Sequence, residues 1–348
     1  MGRTLSNVDP ALRRCWHPVA RPAEITDQPK QFLLLGQPWV LYRAGGSIVA
    51  FEDRCPHRRS PLSLGHCEAD VLQCAYHGWR FDAQGQCVDV PALGPDATLP
   101  PAAKLSPPAG LIERHGMVFL APEEPMTPLG TIPEADDPSF AVGELPTIET
   151  RGSAGLLADN FLDVAHFPFV HAGTFGADEA AEVPHYTVAR DDWSFTMTYE
   201  HSFANREDPA VAAGTRPLVQ TRRLAYRLSA PFHLRLRIDF VEAGGSNVIG
   251  FFIQPQTADT CRLFTTLWRD DLDHDAQRMA DAVRFEVEVL QEDLHIQQAF
   301  HELVLPLAPT DEVHTRADRT TLELRRVLAD LVAAAANPEA DEEPFYLV

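Results

Sequence analysis

The sequence predicts a two-domain α+β protein in which an all-β domain precedes a domain of antiparallel strands and packed helices. Short apolar runs separated by Gly and Pro occupy the first part of the 348 residues, and long alternating runs followed by helical stretches occupy the second half. Strands followed by packed helices are typical of the α+β class. We expect the domains to span 1–125 and 151–348, with a linker over 126–150.

The first domain is predicted to consist of short β-strands. Apolar runs separated by glycines lie at 32–35, 39–42 and 48–51. Proline then accumulates between positions 91 and 133, which excludes regular helix there because proline lacks the amide donor.

The second domain is predicted to combine an antiparallel sheet with three helices. Apolar and polar residues alternate in a set of runs, as expected for strands with one buried face. These runs are 194–199, 223–228, 233–240, 248–253 and 262–268. Helices are expected near 155–167, 276–301 and 318–336, and the acidic tail after Asn337 is expected to be solvated.

Composition restricts the possible partners. Fifty acidic against 29 basic residues give a net charge of −21, which disfavours nucleic acid and anionic membranes unless a local basic patch overrides it. No cluster of basic residues in the second half calls for a strongly anionic substrate. Without a membrane-length apolar run or a signal-like segment, we expect a soluble cytoplasmic protein, in which Cys serves metal binding or catalysis more often than disulfides.

Two loops in the first domain each carry one Cys and one His. Cys55 and His57 form a C-x-H motif, and sixteen residues later Cys74 and His77 form C-x-x-H. A zinc finger usually pairs Cys with Cys and His with His. The interleaved order instead suits a [2Fe–2S] cluster in which one iron takes both thiolates and the other both imidazoles. Structural zinc, or four unrelated residues in β-turns, are the alternatives.

This pattern resembles the Rieske iron–sulfur family. Respiratory and photosynthetic Rieske proteins carry a further Cys three residues after each His, and these form a disulfide. Ser60 and Arg80 occupy those positions here. The resemblance is therefore to the branch of Rieske ferredoxins and non-heme oxygenases.

A second candidate metal site lies at the start of the second domain. Asn160, Asp163 and His166 are spaced three apart, so on a continuous helix they share one face. His166 and His171 are five apart, and we expect Pro168 to bend the chain so that both imidazoles approach one metal. Two His and one carboxylate with open positions opposite form the Fe(II) oxygenase arrangement.

The carboxylate is predicted to be Asp293. It falls on an apolar stripe of the helix near 276–301, and a buried acid is costly unless paired or metal-bound. The apolar members of this stripe are Phe285, Val289, Ile296 and Phe300. Glu292 aligns instead with polar residues on the other face. An Asp hydrogen-bonded in the core is the alternative.

This half is similar to the catalytic domain of Rieske non-heme iron oxygenases, whose motif is D-x2-H-x4-H with a distant Asp. The resemblance implies a helix-grip-like domain with iron on His166, His171 and Asp293, and it places Asn160 near the iron. It further implies a ring-shaped homotrimer in which Asp163 bridges His166 to His77 of a neighbouring chain and carries electrons across the interface.

Within this family, the motifs of the chain resemble those of vanillate and dicamba O-demethylases and of methylxanthine N-demethylases. That resemblance implies O2-dependent monooxygenation of a small aromatic, heterocyclic or natural-product substrate, with N- or O-demethylation as the main outcome. The cofactors would be a Rieske [2Fe–2S] cluster and mononuclear Fe(II). The sequence contains no dinucleotide fingerprint and no C-x4-C-x2-C ferredoxin run, so NAD(P)H would act only through a separate reductase or ferredoxin.

Other outcomes remain open at this point: hydroxylation without demethylation, ring cis-dihydroxylation, and a Rieske electron-transfer protein with a silent second domain. The substrate pocket is expected between the iron-bearing helices and the sheet. Candidate lining residues, chosen by proximity in sequence, are Phe169, Phe175, Ile253, Leu294 and Gln297.

Overall fold

The computed structural model describes residues 3–94, 97–176, 181–206 and 208–337. The chain divides into a smaller unit, Arg13–Met126, and a larger unit formed by Met1–Leu12 with Thr127–Val348. The first short strand, Thr4–Leu5 (β1), belongs to the larger unit. The predicted tail after residue 337 lies outside the described residues. No helix in the described ranges is long and apolar enough to cross a membrane.

The described residues of the smaller unit form three antiparallel sheets. Its strands are His17–Ala20 (β2), Lys30–Leu34 (β3), Gln37–Ala44 (β4), Ser47–Glu52 (β5), His66–Glu68 (β6), Val71–Gln73 (β7), Arg80–Phe81 (β8), Cys87–Asp89 (β9), Gly110–Arg114 (β10) and Met117–Ala121 (β11). Strands β3–β5 and β6–β9 form meanders, and β11 pairs with β10 and β2. Val40, Phe51 and Phe81 form one apolar core with Cys55 and Cys74. The core therefore encloses both Cys of the predicted metal loops, and the all-β prediction is confirmed.

The larger unit contains an antiparallel sheet of eight described strands. Its strands are Ala141–Glu144 (β12), Ile148–Arg151 (β13), Val188–Asp191 (β14), Ser194–Ala204 (β15), Val219–Ser229 (β16), His233–Phe240 (β17), Ser246–Pro255 (β18) and Thr260–Arg269 (β19). In spatial order the sheet runs β12-β19-β18-β17-β16-β15-β14, and β13 also pairs with β19. The five predicted alternating runs all lie within β15–β19.

The expected linker and N-terminal segment differ from the structure. Strands β12 and β13, at 141–151, pair with β19 instead of linking two domains. The first residues, expected with the first domain, join the larger unit, where β1 pairs with Leu305–Pro306 (β20) and Asn7 Nδ2 donates to the Gly152 carbonyl at 3.0 Å. Both differences arise because the pairing partners lie more than a hundred residues away along the chain.

Five helices among the described residues complete the larger unit. They are Ala154–Leu162 (α1), Phe167–Val170 (α2), Pro209–Ala212 (α3), Ala276–Gln297 (α4) and Arg319–Ala336 (α5). The Asp275 side chain accepts from the amides of Gln277 and Arg278 and so caps α4. Helix α4 approaches β12 closely at Gly143, where an added Cβ would lie 2.4 Å from Met279 Sδ.

A buried ion pair joins α1 to α5. Arg325, 2% exposed on α5, contacts both carboxylate oxygens of Asp159 on α1, at 2.6 and 3.0 Å, and Glu312 Oε2 at 2.5 Å. Thr320 Oγ1 donates to the Leu162 carbonyl at 2.8 Å. These contacts fix the C-terminal end of α1, from which the chain leads directly into the His-containing segment.

Substituting Arg325→Met should lower the free energy of unfolding of the larger unit by about 3 kcal/mol, because it leaves the partly buried Asp159 without its cation. Arg326→Met is the matched control: this arginine is 61% exposed and pairs with Glu323, so its loss should change stability by less than about 0.5 kcal/mol. Urea unfolding followed by circular dichroism compares the two variants. Equal stability losses would contradict a special role for the buried pair.

Candidate metal centres and substrate cavity

The two Cys–His loops of the smaller unit share one backbone design. Arg59 N donates to the Cys55 carbonyl at 2.9 Å, and Gly78 N donates to the Cys74 carbonyl at 3.1 Å. The backbone at both donors is left-handed, with φ of 60° at Arg59 and 71° at Gly78. Each loop therefore presents one buried thiol in the same type of turn. The His lies two residues after the Cys in the first loop and three residues after it in the second.

The side chains of these loops form a donor set of two thiols and two imidazoles. Cys55 and Cys74 are 2% and 1% exposed. The rings of His57 and His77 lie 4.4 Å apart, and Trp79 stacks on His57 at 4.7 Å. His57 Nδ1 is buried without a hydrogen-bond partner, and burial raises the pKa of Cys55 to about 11. An unpartnered ring nitrogen beside buried thiols fits a [2Fe–2S] cluster with mixed ligands.

In the larger unit, His166 and His171 flank the one-turn helix α2. Helix α1 ends before Asp163, so the expectation that Asn160, Asp163 and His166 share one helical face is wrong. Pro168 does not bend a longer helix, because it lies in the first turn of α2, where a missing N–H breaks no helical bond. The short turn itself brings the two imidazoles together.

Three ligand atoms converge at this point. His166 Nε2 lies 3.1 Å from His171 Nε2, and Asp293 Oδ1 lies 3.4 and 3.2 Å from these two nitrogens. Metal bonds of about 2.1 Å at right angles place neighbouring ligands about 3 Å apart. Asp293 Oδ1 is buried without a hydrogen-bond partner. The three residues therefore fit a site for one divalent metal ion.

Each imidazole also contacts a further carboxylate through its Nδ1 atom. His166 Nδ1 lies 3.2 Å from Asp163 Oδ2, and His171 Nδ1 lies 2.8 Å from Glu292 Oε2. An acceptor on Nδ1 orients the ring and leaves Nε2 unprotonated for a metal. Thr174 Oγ1 donates to the same Glu292 oxygen at 2.8 Å.

Glu292 belongs to the site, although its position in the sequence predicts that it lies on the exposed face of α4. Consecutive residues of a helix differ by about 100° in direction. Glu292 and Asp293 on α4 can therefore approach His171 from two sides, at Nδ1 and at Nε2. The sequence signal that could have identified Glu292 is its position directly before Asp293, the predicted carboxylate ligand.

The charges of this group are strongly coupled. Burial lowers the pKa of His166, but its contacts with Asp163 and Asp293 outweigh burial and raise the pKa to about 9. Burial also opposes ionisation of Asp293, but contacts with His166 and His171 hold its pKa well below the ordinary value. A divalent cation satisfies the same carboxylates and releases the imidazole proton when it binds.

A cavity opens onto the three converging residues between α4 and the inner face of the sheet. Of the residues expected to line it, Phe175 and Leu294 do so. Phe167, Arg222 and Tyr226 also line it. The sequence contained no local signal for Arg222 and Tyr226, because many strand residues alternate in the same way.

The other three expected lining residues lie elsewhere. Phe169 is 75% exposed on the outer side of α2, and Ile253 is fully buried further along β18 than the cavity extends. Gln297, one turn beyond Asp293, donates to Asn160 Oδ1 at 2.9 Å. Asn160 itself lines the cavity.

Substituting Glu292→Ala should weaken metal binding about 10- to 100-fold, because His171 loses the acceptor that orients its ring. Glu292→Gln should retain most of the affinity, since its amide oxygen can still accept from Nδ1. Glu288→Ala, at an exposed position one turn earlier on α4, is the control. Competitive titration with Co(II) measures the affinities, and an unchanged value for Glu292→Ala would refute the orienting role.

Comparisons with known proteins agree with both centres. Residues 15–104 match the Rieske [2Fe-2S] domain, and residues 151–334 match the vanillate O-demethylase oxygenase C-terminal domain. The chain is 29% identical to methylxanthine N1-demethylase of Pseudomonas putida, over 93% of this chain and 90% of that enzyme. It is 27% identical to the vanillate O-demethylase oxygenase subunit of a Pseudomonas species, over 88% and 98%.

A solved structure of the P. putida CBB5 N1-demethylase with caffeine superposes with a TM-score of 0.81 at 26% identity, covering 95% of this chain and 94% of that one. Members of this family carry a Rieske cluster and a mononuclear catalytic iron, and they take electrons from a separate reductase. The chain thus belongs to the Rieske non-heme iron monooxygenases, with a Rieske domain followed by a catalytic domain of the vanillate O-demethylase type.

Proposed function

We propose that the protein is an oxygenase component that removes an N- or O-methyl group from a small planar substrate by hydroxylating the methyl carbon. The convergence of His166 Nε2, His171 Nε2 and Asp293 Oδ1 within 3.1–3.4 Å carries this proposal. Two imidazoles and one carboxylate form the donor set of Fe(II) oxygenases that keep positions open for O2 and substrate. Loss of formaldehyde from the hydroxylated methyl group distinguishes demethylation from plain hydroxylation.

The residues of the two centres have separate roles in this proposal. Cys55, Cys74, His57 and His77 hold the Rieske cluster, and His166, His171 and Asp293 hold the mononuclear iron. When bound, the cluster supplies single electrons and the mononuclear iron supplies O2 binding and activation.

The protein's own side chains prepare the site for that chemistry. Asp163 and Glu292 fix the two imidazoles, and the aromatic rings of Phe167 and Phe175 shield one side of the site from water. The cavity beside them orients the substrate methyl group toward the three ligands.

We also propose that the protein acts as a homotrimer in which Asp163 links His166 to His77 of a neighbouring copy. Two observations support this role. Asp163 uses Oδ2 for His166 while its side chain remains 30% exposed, and the His77 ring is exposed. An acceptor that is both bonded to a ligand His and accessible can reach a second imidazole.

Anaerobic iron analysis with EPR tests the two-centre assignment. We expect the two irons of a Rieske cluster plus one mononuclear iron per chain, a Rieske signal after dithionite reduction, and a high-spin signal on adding nitric oxide. The His166→Ala variant should lose the nitric oxide signal and keep the Rieske signal. With reductase, O2 and a methylated substrate, the unmodified protein should release formaldehyde.

Two irons without a nitric oxide signal, even after Fe(II) reconstitution, would leave a Rieske electron carrier and overturn the oxygenase proposal. Oxidised product without formaldehyde would replace demethylation by hydroxylation.

The variant Asp163→Asn should slow reoxidation of the prereduced cluster by O2 and substrate about 10- to 100-fold, because the bridging carboxylate becomes a neutral amide. Stopped-flow absorbance of the cluster measures this rate. Asp191→Asn, at an exposed position of the same unit, should react like the unmodified protein.

Mixed assemblies test whether the bridge joins different chains. Co-expressed Asp163→Asn and His77→Ala chains should regain activity that neither has alone, because some interfaces then pair an intact Asp163 with an intact His77. A monomeric mass by light scattering, or no recovery in a mixed trimer, would contradict the bridge.

A further inference from the structure

Arg222 is a buried cation on the inner face of the sheet of the larger unit. It lies on β16 opposite His201 of β15 and is 5% exposed. The next residue, Arg223, points to the other face and pairs with Glu200 at 2.7 Å, where both side chains are about half exposed. Charged side chains are seldom buried unless something pairs with them, so the position of Arg222 requires a physical reason.

No carboxylate among the described residues forms an ion pair with Arg222. Its hydrogen-bond partner is His201, whose Nε2 lies 3.3 Å from Nη2 of the guanidinium. A guanidinium can only donate, so the imidazole nitrogen accepts. Burial, and then the charge of Arg222, lower the pKa of His201 to about 3, which keeps this ring neutral. The hydrogen bond therefore fixes the orientation of the guanidinium without neutralising its charge.

Three phenyl rings surround the guanidinium. Its central carbon lies 4.3 Å from the centre of the Phe175 ring, 5.0 Å from that of Phe203 and 5.4 Å from that of Phe167. Each distance is below about 6 Å, the range over which a cation is attracted to an aromatic ring. Because the guanidinium is removed from water, this attraction is stronger than at an exposed site. A planar cation can thus hold several rings in fixed positions around it.

Two of these phenyl rings also contact the proposed iron ligands. Phe175 stacks on His171, with ring centres 4.7 Å apart and an angle of 29° between the planes. Phe167 meets His166 edge to face at 5.0 Å and packs against Phe175 at 5.2 Å. One phenyl ring therefore connects the buried cation to each imidazole of the convergent group.

These ring contacts complete what the carboxylates begin. Asp163 and Glu292 each meet one imidazole at Nδ1. A single acceptor fixes the position of that nitrogen but leaves the ring able to turn about the line of the hydrogen bond. A phenyl ring packed against the imidazole restricts this rotation. The lone pair of Nε2 lies in the plane of the imidazole, so a metal ion needs that plane to be fixed as well.

We infer that Arg222 is a positioning residue of the proposed iron site. It holds two phenyl rings against the imidazoles of His166 and His171, and so keeps both Nε2 atoms directed at the metal. The inference rests on the proposed function, because it takes these imidazoles as iron ligands. Packing alone gives no reason for arginine here, since an apolar side chain of similar volume fills a buried position at less cost than a cation without a carboxylate.

Charge and positioning predict opposite changes in metal affinity. A fixed cation near the site repels a divalent ion, so removing the charge alone would strengthen metal binding. Loss of the ring contacts would weaken metal binding, because the imidazoles would then spend less time in the orientation that the metal needs. Metal affinity therefore distinguishes the two effects by the direction of the change.

Competitive Co(II) titration of the full chain, with its Rieske cluster assembled and the mononuclear site empty, tests the inference. We expect Arg222→Met to bind Co(II) about 3- to 10-fold more weakly than the unmodified protein. Arg222→Lys should be weakened nearly as much, because an ammonium does not contact several rings as a planar guanidinium does. Arg223→Met removes the neighbouring exposed arginine and should change the affinity by less than about twofold.

An EPR measurement separates ligand orientation from a general loss of stability. With Fe(II) and nitric oxide bound and the cluster kept oxidised, the high-spin signal reports the symmetry of the ligands around the iron. We expect its rhombic splitting to change in Arg222→Met and Arg222→Lys but not in Arg223→Met. If Arg222→Met does not fold, Phe175→Leu removes the ring between the cation and His171 and should give the same weakening and the same spectral change.

Tighter Co(II) binding by Arg222→Met, reversed by Arg222→Lys, would mean that only the charge acts on the metal and would overturn the inference. A folded Arg222→Met or Phe175→Leu variant with unchanged affinity and EPR signal would overturn it too. Each of these results leaves the proposed function intact, because the site still binds metal. Failure of the unmodified protein to bind metal at this site would instead overturn the proposed function, and this inference with it.

Discussion

The larger unit depends on keeping two imidazoles and a carboxylate in contact inside the protein. Asp293 Oδ1 is buried without a hydrogen-bond donor and faces both ring nitrogens at 3.2–3.4 Å. Burying a carboxylate is costly, and its contacts with the two imidazoles offset that cost only because surrounding elements hold the three groups together. The one-turn helix α2 sets the spacing of the His, α4 supplies the acid, and the pair of Arg325 with Asp159 anchors the helix before them.

The balance of charge explains why such a group suits a divalent cation. Asp163 and Glu292 approach the imidazoles from outside, and Asp293 meets them from inside. Three carboxylates around two imidazoles leave an excess of negative charge when the rings are neutral. A divalent metal ion supplies two positive charges and gives the buried Asp293 oxygen a partner, and protons on both rings would supply the same total charge. The same carboxylates that orient the ligands therefore also favour a cation at this site, where a metal ion competes with the imidazole protons.

The sequence predicts those parts of the structure whose pattern lies within a few neighbouring residues, and it fails where the partners are distant along the chain. Alternation within one strand identified β15–β19, and the His spacing led to the convergent pair, because both patterns lie within a few residues. The strands at 141–151 were mistaken for a linker because their partners lie far away on β19. Glu292 was placed on the exposed face by an apolar stripe assumed continuous, yet Ile296 and Phe300 at its end are 43% and 38% exposed.

The same local electrostatics give the cavity one unusual group. Carboxylates surround the proposed iron ligands and the whole chain is acidic. Arg222 is nevertheless buried on the inner face of the sheet, where it contacts three phenyl rings and forms no ion pair with a described carboxylate. The sequence does not predict this position, because one arginine among alternating strand residues differs from its neighbours only when the sheet buries it.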